Sequence, residues 1–533
     1  MIGNAGTPYS GGIIPNVTII ADNGGKTVTK DITPLVLEFN VYQSILENSM
    51  TCDISLVDAA GVVFEELQMS GQEIAQISLT GSGGGKVFAF RIYKVEKPQP
   101  LQERAYALTL YGVSPAFEKS INTAIFNYYD GLTGDQIVSE VVNEHIGSNA
   151  KLTVEPGENT LTYTAAGHSP FEFINMVAGD TQSAQYPDSS SYLFFENADG
   201  YNFVTVNSLL DKAPVEEYHF ADPGTSRSGD KNYIAGITWH HTADALKGLQ
   251  NGLYDNRVAA IDVLTKTYRE YTFNYSQEND KLTHIRNSGR PLIRPKAFGG
   301  LYLGDALTGE SHVRYIETDF NVEIENQTID DRINETNDSH KFHARTTHNF
   351  LPAKVAQMAS LQQHRMDITA KFTPSVTAGD LVNIYLPNNI GSDNSKYAPY
   401  FSLYGQRNPT FLVLENVITF EAQNGNIFST LKVAKESLGE KLIGPGPAGL
   451  LENLLSQLLG QDINKTPNPS GESRAENQTQ TLEEAAASVD GQVLTDEDGN
   501  KGLPYSALTP LEKQYALEQG YADADTYPDG TFE

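Results

Sequence analysis

Apolar and polar positions alternate with period two through the first hundred residues. Met50, Cys52, Ile54 and Leu56 face one way along a stretch whose other side carries Thr51, Asp53 and Ser55, the pattern of a half-buried strand. Similar stretches at residues 27–32, 73–80, 87–95 and 105–111 are separated by turn signals such as Gly81-Ser82-Gly83-Gly84-Gly85. They predict an antiparallel barrel over residues 1–113.

The period then lengthens. Thr133 and Gln136 form a capping-box pair ahead of Ile137, Val138, Val141 and Val142, and Gly147 stands at the stop position. Ser169-Pro170-Phe171-Glu172 opens a second helix with proline in its first turn. These signals predict a helical insertion over residues 114–190. Strands resume and run, with one helical break near 352–363, to residue 438. Within them Met366-Asp367-Ile368-Thr369, Gly379-Asp380-Leu381 and 411–433 echo Met50-Thr51-Cys52-Asp53, Gly71-Gln72-Glu73 and 90–111. The echo predicts a second barrel over 191–438 built like the first. The expected fold class is mainly β (α+β): two tube-like antiparallel β-barrels, a small helical insertion, and a partly helical, linker-rich acidic C-terminal extension.

That extension, residues 439–533, carries 17 acidic against 5 basic residues. Leu450, Leu451, Leu454, Leu455, Leu458 and Leu459 lie on one face of a short helix, and a stretch rich in Pro, Ser, Asn and Glu follows. The leucine face is the candidate partner-docking element.

Charge narrows the function. The chain of 533 residues has a formal net charge of -30, which opposes sequence-independent nucleic-acid binding, since such binding needs basic groups to displace counterions from phosphates. A single cysteine, Cys52, excludes an intrachain disulfide, and its place in the alternation predicts a buried, inert thiol. The start of the chain lacks the basic and apolar regions of a signal peptide, and no stretch reaches membrane-spanning length, so assembly in the cytoplasm of a host cell and no stable membrane association are expected.

No nucleophile elbow, phosphate-binding loop or dinucleotide fingerprint occurs. His340, His343, His348 and His364 cluster in sequence without the spacing of a zinc site and read as surface or hydrogen-bonded side chains. Asp496-Glu497-Asp498-Gly499-Asn500 has Lys501 where a calcium loop needs glycine. No catalytic residue, metal or cofactor is expected, and the chain does not read as an enzyme.

Two stretches resemble the baseplate central hub proteins of contractile-tailed bacteriophages, which are related to the hub part of type VI secretion spikes. One runs from Ser169-Pro170-Phe171-Glu172 through Tyr192-Leu193-Phe194-Phe195-Glu196-Asn197 to Gly200-Tyr201-Asn202-Phe203; the other is Ala378-Gly379-Asp380-Leu381-Val382 followed by 411–413 and 430–437. The resemblance covers about residues 15–438. It implies a homotrimer whose paired barrels form a pseudo-six-fold ring between a six-fold tail tube and a three-fold central spike. It further implies contacts with baseplate wedge proteins, a channel through which phage DNA only passes, and a place in the tail baseplate of a virion. The hub part of a type VI-like injection machine is the alternative, and a tail-associated cell-wall hydrolase a more distant one.

Overall fold

A computed structural model describes residues 13–81, 84–96, 99–102, 105–147, 151–220, 233–241, 245–262, 266–274, 278, 282–285, 312–317, 347–385 and 409–436, with isolated positions 487, 494, 495, 501, 502, 512 and 516 beyond. The chain divides into two units, residues 1–444 and 445–533. Of the second, the described part is a two-stranded ladder pairing Leu494 with Gly502, together with buried Glu512 and Ala516. Leu450, Leu451, Leu454, Leu455, Leu458 and Leu459 lie outside the described residues, as do His340 and His343.

The first unit is mainly β. Strands β1 (Ile14–Asn23), β2 (Lys26–Asp31), β3 (Val36–Ser44), β4 (Thr51–Asp58), β5 (Ile74–Gly81), β6 (Gly84–Val95), β7 (Gln99–Gln102) and β8 (Ala105–Val113) build the first barrel. The alternation on β4 aims Cys52, Ile54 and Leu56 into one core with Val17, Phe39, Ile77 and Phe90. Ladder pairing runs β2-β1-β5-β6-β8-β4-β3. The gap between β1 and β3 is spanned by the 3-10 turn Thr33–Leu35, with Ile32 donating to the carbonyl of Val17 at 2.9 Å.

Between the barrels comes an insertion with helices α1 (Pro115–Asn122), α2 (Gly134–Val141) and α3 (Pro170–Asp180), and strands β9 (Ile125–Thr133), β10 (Leu152–Val154), β11 (Thr160–His168), β12 (Tyr192–Asn197) and β13 (Gly200–Thr205). Both predicted capping boxes form, Thr133 with Gln136 and Ser169 with Glu172. The insertion does not stop at residue 190. Tyr192, Phe194, Tyr201 and Phe203 pack into the same core as Ile137, Val141 and Phe173, so it runs through β13 and is as much sheet as helix.

Beyond α4 (Val206–Asp211), strands β14 (Glu216–Phe220) and β15 (Tyr233–His241) lead to α5 (Ala245–Gln250) and a three-stranded sheet of β16 (Asp255–Asp262), β17 (Thr267–Asn274) and β18 (His312–Glu317). Helix α6 (Thr347–Ser360) packs on that sheet, and β19 (His364–Lys371), β20 (Leu381–Tyr385), β21 (Thr410–Glu421) and β22 (Asn426–Lys435) follow. Six strands close into a second barrel in the order β14-β20-β21-β22-β19-β15, with β15 returning to β14. Two of its joints, β14 with β15 and β14 with β20, are parallel.

The two barrels share one strand order: β1-β5-β6-β8-β4-β3 and β14-β20-β21-β22-β19-β15. They share irregularities too. Register shifts fall at Leu37 and at Ala235, and again at Tyr93 and at Leu414. Gly71 and Gly379 hold φ of 91° and 92° before β5 and β20, and Ile92 donates to the carbonyl of Glu73 at 2.8 Å as Val413 does to that of Asp380 at 2.9 Å. These ladders set Met366 against Cys52, two residues on from the Met50 suggested by the sequence echo. Each pairs with the residue opposite the strand that carries the bulge, Gly112 and Val433 respectively.

Candidate functional site

The two recognisable stretches of sequence meet in space. Strand β12 alternates so that Tyr192 and Phe194 enter the core of the insertion while Phe195 enters a separate core with Ile45, Ala378, Leu381 and Leu412. Glu196 and Asn197, at its end, are buried polar residues. The Glu196 carboxylate accepts from the Met50 amide at 3.1 Å, the Ser114 hydroxyl at 2.9 Å and the Tyr201 hydroxyl at 3.0 Å. It thereby fixes the insertion to the first barrel where β4 begins and β8 ends. Desolvation raises its pKa, and those three donors oppose the rise.

The next residue holds the other barrel. The Asn197 amide donates to the carbonyl of Ala378 at 3.0 Å and to the hydroxyl of Thr377 at 3.3 Å, while the Ala198 amide donates to Gln43 Oε1 at 3.1 Å. Glycine is required at 379 twice over: its φ is positive, and a Cβ there would stand 3.0 Å from the Phe195 ring. Asp380 accepts from the Thr377 amide and hydroxyl at 2.9 and 3.0 Å. Thus Glu196-Asn197 and Thr377-Ala378-Gly379-Asp380 form one three-way staple among insertion, first barrel and second barrel. The sequence motifs are structural, since their polar atoms are consumed in joining the parts.

Beside the staple the barrels fuse edge to edge. β3 and β21 pair antiparallel from Glu38 opposite Glu421 to Ser44 opposite Glu415, making one sheet of both barrels. On its inner side Phe39 packs against Phe420 with ring centroids 5.2 Å apart. On its outer side the Thr419 hydroxyl donates to Asn40 Oδ1 at 2.7 Å, the Asn40 amide to Asp53 at 3.0 Å, and the Tyr42 hydroxyl to Asp53 at 2.7 Å. Farther along the same face the Tyr111 hydroxyl donates to Glu96 at 3.0 Å, and Lys94 sits 4.5 Å above the Tyr111 ring. Burial and the adjoining Asp53 carboxylate push the Tyr42 phenol pKa up, so this face keeps its hydroxyls as donors.

One end of the polar face turns apolar. A groove of about 840 Å³ crosses β21, β3, β4, β8 and β6 and is bounded by α1. Ile121 is 64% exposed, Tyr93 59% and Leu46 54%, and the Arg91–Glu118 ion pair at 2.7 Å stands beside them. Water-facing apolar side chains gathered at the edge of a polar sheet suit recognition of another protein better than chemistry on a small molecule. Among the described residues no group of three His, Cys, Asp or Glu side chains could hold a metal ion, and no helix is long and apolar enough to cross a membrane. His348 and His364 are buried; burial and the charge of Arg269 hold His348 down near a pKa of about 4, and its ring lies 4.7 Å from that of Tyr271. Cys52 is buried, and desolvation pushes its thiol pKa up.

No protein-family model matches the chain, and no curated protein matches it. Solved structures do. A tail protein from Neisseria meningitidis MC58 aligns with a TM-score of 0.44 at 11% identity, over 80% of this chain and 98% of its own. The 43 kDa tail protein of prophage MuSo2 from Shewanella oneidensis aligns with a TM-score of 0.43 at 10% identity, over 80% and 100%. The Francisella PdpA–VgrG complex aligns with a TM-score of 0.38 at 11% identity, over 80% of this chain and 53% of the other. These neighbours are phage tail proteins and a VgrG complex.

Proposed function

We propose that the chain is a structural hub subunit of a phage contractile tail, without catalytic activity, acting as a homotrimer. Three copies supply six like barrels to a six-fold tail tube and a three-fold face to a central spike, with wedge or other baseplate proteins at the rim. The observation that carries this reading is the pair of barrels with one strand order and matching bulges, fused through β3 and β21 in a single chain. A chain that is internally two-fold repeated reconciles three-fold with six-fold symmetry, which a single point-group contact cannot do.

The acidic balance suits the channel assigned to such a ring. With a net charge of -30, and Glu38, Asp53, Glu96, Glu415 and Glu421 on the joint sheet, phosphates are repelled and passing DNA is not adsorbed. The mass of the purified protein, alone and with a spike or tube partner, tests the proposal: three chains per particle are expected in one of the two, and a stable dimer, or a chain monomeric in both, overturns it.

A further inference from the structure

Strands β9 and β11 form a two-stranded ribbon that pairs with no other strand among the described residues. Its inner face sends Ile125, Tyr129 and Tyr163 into the core of the insertion. Its outer face carries Phe126 and Tyr128, two residues apart on β9 and opposite Ala166 and Thr164. Phe126 is 79% exposed, more than any other large hydrophobic side chain among the described residues, and Tyr128 is 56% exposed. The Phe126 ring is nonetheless held in place. It lies beside the backbone of Gly167, where a Cβ would stand 3.4 Å from it, and Gly167 takes φ of 90° at the bulge between Ala166 and His168. A ring fixed before binding loses less freedom when a partner covers it.

The edges of the ribbon are guarded while its face is open. On β9 the Tyr128 amide donates to Asn127 Oδ1 at 2.9 Å, and on β11 the Ala166 amide donates to His168 Nδ1 at 3.3 Å. Neither amide is then free to receive an added strand. Two adjacent aromatic side chains on an open face mark a contact made face-on.

Charge decides what covers that face. Residues 114–205 carry twelve acidic and two basic residues. Asp130 stands on the face itself, held by the Thr162 hydroxyl at 2.9 Å, and Glu172 lies in the first turn of α3 just beyond β11. Lys119 already donates to the carbonyl of Ile146 at 2.8 Å. A second copy of a chain with net charge -30 brings like charge to this surface, as do nucleic acid and an anionic membrane; a basic protein brings the opposite charge. We infer that the outer face of the β9–β11 ribbon docks a basic partner protein through an extended segment with alternate apolar side chains, anchored on Phe126 and Tyr128. Strand period sets the two anchors about 7 Å apart, the spacing at which an extended segment presents every second side chain. The inference rests on the insertion alone and stands apart from the trimeric ring proposed above.

The test titrates the full chain into two fluorescein-labelled peptides at physiological salt and reads anisotropy. One peptide alternates leucine with lysine, the other leucine with glutamate. The leucine–lysine peptide should bind the wild type and the leucine–glutamate peptide should not. Phe126→Ser with Tyr128→Ser should weaken binding about tenfold or more. Asp130→Lys, at an exposed position, should also weaken it while keeping both rings. Circular dichroism melts check the fold of each variant, and if the double variant melts well below the wild type, Asp130→Lys decides alone. No binding of the leucine–lysine peptide, equal binding of both peptides, or binding unchanged in the folded variants overturns the inference. So does a double variant that forms a smaller particle than the wild type by native mass spectrometry, which would put a second copy on the face. Failure of the peptide to bind leaves the trimer proposal standing, since the wild-type mass is measured separately.

Discussion

Replacing Glu196 with Ala strikes the staple directly. The carboxylate accepts from Met50, Ser114 and Tyr201, and its removal strands buried donors at about 1–3 kcal/mol each. Ser114 and Tyr201 hydroxyl oxygens already stand 3.4 Å apart and can satisfy one another, so the Met50 amide is the one certain orphan. One buried methylene is lost as well, at about 0.8 kcal/mol. Relief from burying a carboxylate, whose pKa desolvation raises, offsets part of this. The net expectation is a loss of roughly 2 kcal/mol, with Glu196→Gln losing less because it keeps an acceptor oxygen. Urea unfolding should be followed by far-ultraviolet circular dichroism and by fluorescence of Trp239, the single tryptophan, which reports on the second barrel. The variant should separate the two transitions and gain a protease-sensitive site near the insertion. If both probes stay coincident with the wild type to within about 0.5 kcal/mol, Glu196 is not a staple.

Three further outcomes follow from the same structure. Gly379→Ala should destabilise by about 1–3 kcal/mol in the same unfolding assay, because φ of 92° and the Phe195 ring oppose any side chain there. Glu436, whose pKa burial raises from 4.5 to about 7 while it accepts from the Ile285 amide at 2.5 Å, should make stability pH-dependent. Its proton is held more tightly folded than unfolded, so stability falls as pH rises from about 4.5 to about 7, by on the order of 3 kcal/mol, and Glu436→Gln should flatten that slope in thermal melts. Buried Lys435, depressed from 10.5 to about 8, acts only at higher pH, where stability should rise. Cutting the chain after Gly439 should leave barrel folding intact while weakening assembly, read by circular dichroism and solution mass; unfolded barrels or unimpaired assembly would refute a docking role for the leucine face.

Period-two alternation was enough to read β4, β5, β6 and β8, because each has one face in a core and one in water, and capping boxes marked α2 and α3 for the same local reason. The closing of the second barrel was not legible. β14 joins its neighbours in parallel, which requires a long crossover whose partner cannot be read from periodicity. The β3–β21 joint links residues nearly four hundred apart in sequence, so no local pattern announces it. Glu196 was visible only as part of a family-like string: a buried glutamate and an exposed one look alike until Met50, Ser114 and Tyr201 are seen around it. The sequence echo sets Gly379 against Gly71 and Phe411 against Phe90 as the ladders do, and slips by two residues only at Met366, because period two leaves the in-facing side unchanged by such a slip.

The central claim is that one chain carries two like barrels in order to make a six-barrel ring from three copies. Electron microscopy of the purified full-length protein tests it most directly. Class averages should show a three-fold particle with six lobes of similar size around an open centre. A two-fold particle, or a closed particle without a central opening, would contradict it.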